Sequence, residues 1–130
     1  MTLLDVRIAP SAWNARTVRE HLLRIASIIE MKPKSLDDFV TAISEAFANA
    51  VEHAHTSTPI EITVKTDRKG RLSATVRDRG RGISERATRQ ALPPVGAERG
   101  RGIPLMRRCS SSVRISAPRD GGTLVALSWT

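Results

Sequence analysis

The sequence predicts an α+β domain in which helices cover one face of a mixed, mostly antiparallel sheet. Two pairs of segments alternate apolar and polar residues around a short turn, which is typical of β-hairpins. Two longer segments repeat their apolar residues at helical spacing. The length of 130 residues suits one hydrophobic core. We therefore expect a two-layer sandwich, built as a single domain over residues 1–130.

The N-terminal half is predicted to hold one strand and two helices. Residues 3–9 alternate as a strand does, and Ser11 suits the N-cap of a helix running from residue 12 to about residue 31. A second helix is expected to open at Ser35, with two aspartates in a first turn that the helix dipole favours. Its predicted buried stripe comprises Phe39, Ile43, Phe47, Ala50, Val51 and Ala54.

The C-terminal half is predicted to hold two hairpins separated by an irregular stretch and a short helix. "IEITVKT" and "LSATVRD" form the first hairpin, and "SVRISA" and "TLVALSW" form the second. The helix is expected from about Ile103 to Cys109, with Pro104 in its first turn. The predicted order is therefore β-α-α-β-β-loop-α-β-β.

Composition narrows the class of protein. Apolar residues make up 40% of the chain, and no apolar run approaches the roughly 18–20 residues of a membrane span. The N-terminus lacks a signal-peptide pattern, and Cys109 is the single cysteine, so we expect a cytoplasmic protein. The net charge of +8 suits phosphates, nucleic acid or an acidic partner.

Three polar residues, Glu45, Asn49 and His53, share one face of the second helix because they are four residues apart. That face is expected to lie opposite much of the apolar stripe. Glutamate is a candidate general base, and an asparagine oxygen suits a hydrated Mg²⁺. His53 and His55 with the distant Cys109 do not complete a tetrahedral zinc site, so we interpret His53 as a surface or phosphate-side residue.

The pentapeptide RGRGI occurs twice, at residues 79–83 and 99–103. The first copy follows a predicted strand that ends at Asp78. Gly80 and Gly82 allow a sharp turn and leave room for a flat ligand beside Ile83. A carboxylate at this position can accept a hydrogen bond from an exocyclic amine such as that of adenine. Read alone, the same pattern is also that of an ordinary turn leaving a strand.

The second copy leads into a helix. Glycines before a helix N-terminus expose backbone N–H groups to an anion, which favours a phosphate near Gly100, Arg101 and Gly102. The Lys-Ser/Thr ending of a Walker loop is missing, and the third glycine of a Rossmann turn is absent. Read alone, this motif fits a flexible hinge equally well.

The order of these motifs resembles that of the GHKL ATPase superfamily, which includes gyrase, MutL and the catalytic domains of histidine kinases. "EAFANAVEH" resembles its N box, "DRGRGI" its first glycine box, "GRGIPLM" its second, and "GGT" its closing threonine motif. The likeness extends over residues 5–129. Within the superfamily the motif sequences are most similar to those of the stand-alone bacterial anti-sigma-factor serine/threonine kinases.

The resemblance implies a Bergerat-type ATP-binding fold and a role for each motif residue. Glu45 would be the catalytic carboxylate, Asn49 the Mg²⁺ ligand, and residues 84–99 the ATP lid. The nucleotide would be held by Asn49, His53, Asp78, Gly80, Gly82, Ile83, Gly100, Arg101, Gly102, Ile103 and Thr123. The family would phosphorylate a STAS-type anti-anti-sigma protein, sequester a sigma factor and usually work as a homodimer.

The chain departs from the superfamily pattern at Arg79, where many members have asparagine, and in a short lid rich in Arg, Ala and Pro. Two other functions stay open. A non-catalytic, nucleotide-responsive binding module could use the same fold, although such a module has no need of Glu45. An arginine-rich nucleic-acid binder needs a clustered basic face with stacking aromatics, and the chain has only two Phe, two Trp and no Tyr. We expect neither membrane nor direct nucleic-acid partners.

Overall fold

The computed structural model describes residues 1–54, 57–80 and 102–130, which form one five-stranded sheet and three α-helices. The α+β fold class predicted from the sequence is confirmed. In chain order the elements are β1 Thr2–Ile8, a 3-10 turn Ala12–Asn14, α1 Ala15–Ile28, α2 Pro33–Ala54, β2 Ile60–Thr66, β3 Leu72–Asp78, α3 Gly102–Arg108, β4 Ser112–Ser116 and β5 Thr123–Trp129.

The strand order is β1-β2-β3-β5-β4, and all four pairings among the described strands are antiparallel. Both predicted hairpins are present, β2 with β3 and β4 with β5. The register gives the sheet two distinct ends. Ile60, Asp78 and Thr123 lie at one, which we call the Asp78 end. Thr66, Leu72 and Trp129 lie at the other, the Trp129 end.

One face of the sheet is buried under the helices, because alternate residues of each central strand are apolar. The predicted stripe of α2 is buried at its first four positions, while Val51 is half-buried against the core and the Ala54 side chain lies outside the described residues. No helix of the described residues is long and apolar enough to cross a membrane. The inward strand residues are Ile60, Ile62, Val64, Ala74, Val76, Val125 and Leu127.

The start of α2 differs from the prediction. The helix begins at Pro33, two residues before Ser35, and the Leu36 amide donates to the Lys32 carbonyl at 2.8 Å. Proline suits the first helical position because its fixed φ is already helical and the amide hydrogen that it lacks has no partner there. Capping at Ser35 was therefore the wrong prediction, since that residue lies inside the first turn.

The ends of α1 also differ from the prediction. The Ser11 hydroxyl accepts from the Trp13 amide at 3.3 Å, so it caps the 3-10 turn, and α1 itself starts at Ala15. At the other end Glu30 has a φ of +52°, and the Met31 amide donates to the Ala26 carbonyl at 2.9 Å. This is a Schellman ending, which stops the helix before the expected residue 31.

Helix α2 crosses the sheet from one end to the other. Near its start, the Phe39 ring meets the Trp129 ring edge-on, with centroids 5.3 Å apart. At its finish, Ala54 precedes Ile60, the first residue of β2, by six positions. The first half of α2 therefore lies over the Trp129 end, and its second half extends toward the Asp78 end.

Candidate functional site

Two buried polar residues face each other at the Asp78 end. Asp78 is 4% exposed and Thr123 is 3% exposed, and they are the buried polar residues among those that the structure describes. They pair directly across β3 and β5, so their side chains lie on the same, helix-covered face of the sheet. Burying a carboxylate is costly unless it is partnered, which makes this pair a candidate binding site.

The Asp78 carboxylate is held by the turn that follows it. Its Oδ1 accepts from the Gly80 amide at 3.0 Å, an Asx-type turn at the end of β3. The first glycine of the first RGRGI copy thus holds the carboxylate in place at the end of β3. This hydrogen bond to Oδ1 does not use the second oxygen, Oδ2.

Gly122 brings the second hairpin against this carboxylate. Its φ is +80°, and a Cβ at this position would overlap the Asp78 carbonyl oxygen and lie 2.7 Å from the Cα of Arg79. Only glycine fits, because both the backbone conformation and the close approach exclude a side chain. The "GGT" motif therefore sets Thr123 directly beside Asp78.

An ion-pair network that the sequence analysis did not predict lies next to this corner. The Asp120 carboxylate binds Arg77 at 2.6 Å through Oδ1 and Arg79 at 2.8 Å through Oδ2, and Arg79 also lies 3.8 Å from Glu61. Side-chain hydrogen bonds lower the pKa of Asp120, and the bond from Arg77 has a larger effect than the bond from Arg79. Asp120 is more than forty positions from both arginines in the chain, so no local pattern could have revealed these pairs. The network joins the residues flanking Asp78 to the β4–β5 turn.

Glu45, Asn49 and His53 are all half-buried on α2. The prediction that they lie opposite the apolar stripe was wrong, because Ala48 and Glu52 are the exposed residues of this part of the helix. The three residues flank the stripe instead, at the border between core and solvent. They lie in the second half of α2, a helix that packs against β3, β5 and α3.

Not every predicted site residue can be placed. Gly102 is the first residue of α3, as the second glycine motif predicts, and Ile103 is half-buried against the core. Four of the remaining site residues, and the predicted lid at residues 84–99, lie outside the described residues. Those four are Gly82, Ile83, Gly100 and Arg101.

The residues present fit the ligands that the motifs suggest. Asp78 presents a carboxylate at the buried Asp78 end, where an amine donor can be recognised away from water. Glu45 and Asn49 present oxygen atoms at the core–solvent border, and Mg²⁺ prefers oxygen ligands while retaining several waters. An Asn49-held Mg²⁺ would neutralise phosphate charge. The described site thus combines a polar recognition corner with an oxygen-bearing helix face.

The sequence of residues 8–129 matches the family model of the histidine kinase-like ATPase domain. The chain belongs to this family. The resemblance to the GHKL superfamily is thereby confirmed, and with it the general use of a nucleotide. No curated protein matched the chain.

Three solved structures share the fold. The RsbU and RsbW domains of Rv1364c from Mycobacterium tuberculosis match at 26% identity and a TM-score of 0.74, covering 97% of this chain and 31% of that one. The SiaB–SiaC complex from Pseudomonas aeruginosa matches at 14% identity and a TM-score of 0.72, covering 98% and 89%. The histidine kinase domain of the blue-light activated kinase EL346 from Erythrobacter litoralis matches at 19% identity and a TM-score of 0.59. The match covers 86% of this chain and 60% of that one. The chain thus spans under a third of the Rv1364c chain.

Proposed function

We propose that this protein is an ATP-dependent serine/threonine protein kinase that also acts as an anti-sigma factor. Its substrate would be a serine or threonine of a STAS-type anti-anti-sigma protein, and it would sequester a sigma factor. We further propose that it works as a cytoplasmic homodimer. Membership of the ATPase family, together with the likeness to a structure that contains an RsbW domain, supports this choice among the activities of the fold.

The observation that carries the proposal is the buried pair of Asp78 and Thr123, which face each other across β3 and β5 at one end of the sheet. In the proposed complex Asp78 accepts a hydrogen bond from the adenine amine and Thr123 completes the polar contacts on that side. Gly82 and Ile83 shape the base pocket. Residues 84–99 close over the nucleotide as a lid.

The phosphate half of the site has a different task. Gly100, Arg101 and Gly102 would contact the phosphates, and Asn49 would hold the Mg²⁺ that neutralises them. The oxygen of the substrate hydroxyl bonds to the γ-phosphorus, and the bond from that phosphorus to ADP breaks. Glu45 takes the proton of the hydroxyl as this transfer occurs. Little covalent chemistry falls to the protein in such a transfer, so positioning and charge neutralisation supply most of the rate.

The test is transfer of label from γ-labelled ATP to a purified STAS-type anti-anti-sigma protein. Glu45→Ala is expected to lower the transfer rate by at least about a hundredfold while ATP binding is largely retained, because general-base catalysis is worth roughly 10²–10⁴ in rate. Glu52→Ala, which removes an exposed glutamate from the same helix, is the matched control and should transfer label normally.

Two results would contradict the proposal. Transfer that survives Glu45→Ala would mean that Glu45 has another role. Normal ATP binding without any transfer by the unmodified protein would instead favour the non-catalytic, nucleotide-responsive binding module. Calorimetric titration with ATP separates these cases, because it measures binding without requiring turnover.

A further inference from the structure

A second cavity lies at the Trp129 end of the sheet, away from the Asp78 end. Its volume is about 740 Å³, within the range of roughly 300–1,000 Å³ that ligand pockets occupy. It opens between the start of α2, the β2–β3 turn, the residues after α3 and the end of β5. The nucleotide chemistry proposed above uses none of the residues that line it.

The floor of this cavity is apolar and aromatic. Phe39 and Trp129 meet there, and Ile29, Met31 and Leu72 complete it. Two of the polar groups that line the cavity are already engaged within the protein. The Trp129 indole N–H donates to the Cys109 carbonyl at 2.7 Å, and the Ser110 hydroxyl donates to the Met106 carbonyl at 2.6 Å.

The rim of the cavity is cationic. Lys32, Lys69, Arg71 and Arg108 line it and are all exposed. Among the described residues only Arg71 of these four has an ion-pair partner, Asp67, at 2.8 Å. The one acidic side chain in the lining is Asp38, and it already binds Lys34 at 3.2 Å. Within the described part of the chain, Lys32, Lys69 and Arg108 therefore form no ion pair.

We propose that this cavity docks an acidic segment of a protein partner, with an apolar side chain on the floor and carboxylates against the rim. Lys32, Lys69 and Arg108 lie on three separate segments that line the cavity, so an extended acidic segment could contact all three. Since the Ser110 hydroxyl and the Trp129 indole N–H are used internally, the rim cations and the apolar floor are the main means of recognition. A segment with several carboxylates around one large apolar residue satisfies both.

The experiment uses a short fluorescein-labelled peptide of glutamates around a central phenylalanine, measured by anisotropy against the full chain. The cavity variant is K32E/K69E/R108E. The matched control is R19E/R24E/R114E, which makes the same change in net charge at exposed arginines that do not line the cavity. We expect the cavity variant to weaken binding at least about tenfold more than the control does, because local charge complementarity acts over short distances at physiological salt.

A second readout tests the location directly. In a W13F background Trp129 is the remaining tryptophan, and its emission should shift when the peptide binds. A peptide with glutamines in place of the glutamates should bind weakly and leave the emission unchanged.

Three outcomes would overturn the proposal. Equal weakening by both charge reversals would mean diffuse attraction to a basic protein. Equal binding of the glutamine peptide would remove the acidic requirement. A single-stranded oligonucleotide that binds with the same dependence on the rim cations would make nucleic acid the occupant. Both variants are also titrated with ATP, so a failure of docking is distinguished from a failure of the nucleotide site.

Discussion

The corner formed by Asp78, Gly122 and Thr123 shows how single residues define the candidate site. Gly122 lets one backbone approach another, and the approach places a threonine and a carboxylate side by side on neighbouring strands. Neighbouring Gly121 also has a positive φ, of +98°, but a Cβ there would meet nothing within 4 Å. A side chain at Gly121 would therefore meet only an unfavourable backbone conformation, whereas a side chain at Gly122 would also overlap the backbone of Asp78.

Gly122→Ala is expected to destabilise the protein more than Gly121→Ala does. Both changes impose a left-handed conformation that costs about 1–2 kcal/mol for a residue with a Cβ. Gly122→Ala also forces β5 away from Asp78, and it should weaken ATP binding in addition. Urea unfolding compares the free energies of unfolding, and ATP titration compares the sites. Equal destabilisation by the two changes would contradict the close approach.

The Asp120 carboxylate makes the stability of the adjacent turn depend on pH. Its pKa is lowered by hydrogen bonds from Arg77 and Arg79, so the charged form is favoured in the folded state. This contribution is present above the ordinary aspartate pKa of about 3.9 and is lost as the pH falls below it. Asp120→Asn should therefore unfold more easily than the unmodified protein at neutral pH.

The measurement is urea unfolding of both proteins at neutral pH and again at the lowest pH at which they fold. The stability difference between them should shrink as the pH approaches the folded-state pKa of Asp120. A difference that stays constant across this range would contradict the ion-pair explanation. Because Asp120 is exposed, salt should also reduce the difference.

Arg79 shows where prediction from the sequence reached its limit. The sequence analysis identified it as a departure from the family pattern and gave it no role. The structure pairs it with Asp120 and Glu61, two residues on other strands or turns. Such long-range ion pairs depend on strand register, which the alternation of single strands does not specify. By contrast, Asp78 was predictable because a strand end and a glycine turn are local signals.

Among the elements, α2 determines the layout of the molecule. It carries most of the helical core, contacts α1, α3, β3 and β5, and spans both ends of the sheet. Its buried stripe was predictable because helical spacing of apolar residues is a strong local pattern. Its first residue was not, because Ser35 and Pro33 are both acceptable starting signals and the actual choice depends on the carbonyl of Lys32.

Phe39→Ala should destabilise the protein by about 3–5 kcal/mol, the usual cost of truncating a buried phenylalanine. Phe39 is 1% exposed and its ring packs on Trp129, so the change opens a cavity between α2 and β5. Ile28→Ala is the control, because Ile28 is 72% exposed and should change stability by no more than about 0.5 kcal/mol. Denaturant unfolding followed by circular dichroism measures both. Comparable losses would contradict the packing described for α2.

At the scale of the whole molecule, the two ends of the sheet offer different chemistry. The Asp78 end holds buried hydrogen-bonding groups, and the Trp129 end holds an aromatic floor under a cationic rim. The family and fold were predictable because the order of several weak motifs is specific when they are taken together. The second cavity was not, because its lining comes from four separated parts of the chain.

Asp78→Asn should remove most of the stabilisation that ATP gives to the folded state. A ligand at about a hundred times its Kd raises the free energy of unfolding by about 2.7 kcal/mol. The asparagine oxygen can still accept from the Gly80 amide, but its amide group would oppose the adenine amine. Thermal unfolding with and without ATP measures the gain within each variant, and Asp37→Asn, at an exposed position on α2, is the control. If ATP stabilises the Asp78→Asn variant as much as it stabilises the unmodified protein, the adenine base does not bind at Asp78.

The strand order has a consequence for how the molecule folds. Among the described strands, only the β2–β3 and β4–β5 pairings join strands that are connected directly by a turn. The β3–β5 pairing joins the two hairpins across a long stretch of chain, and such non-local contacts form slowly because loop closure comes first. Asp78 and Thr123 belong to that pairing. A folding intermediate with both hairpins formed but not yet joined would therefore have no nucleotide site, and ATP would stabilise the protein only after the final closure of the sheet.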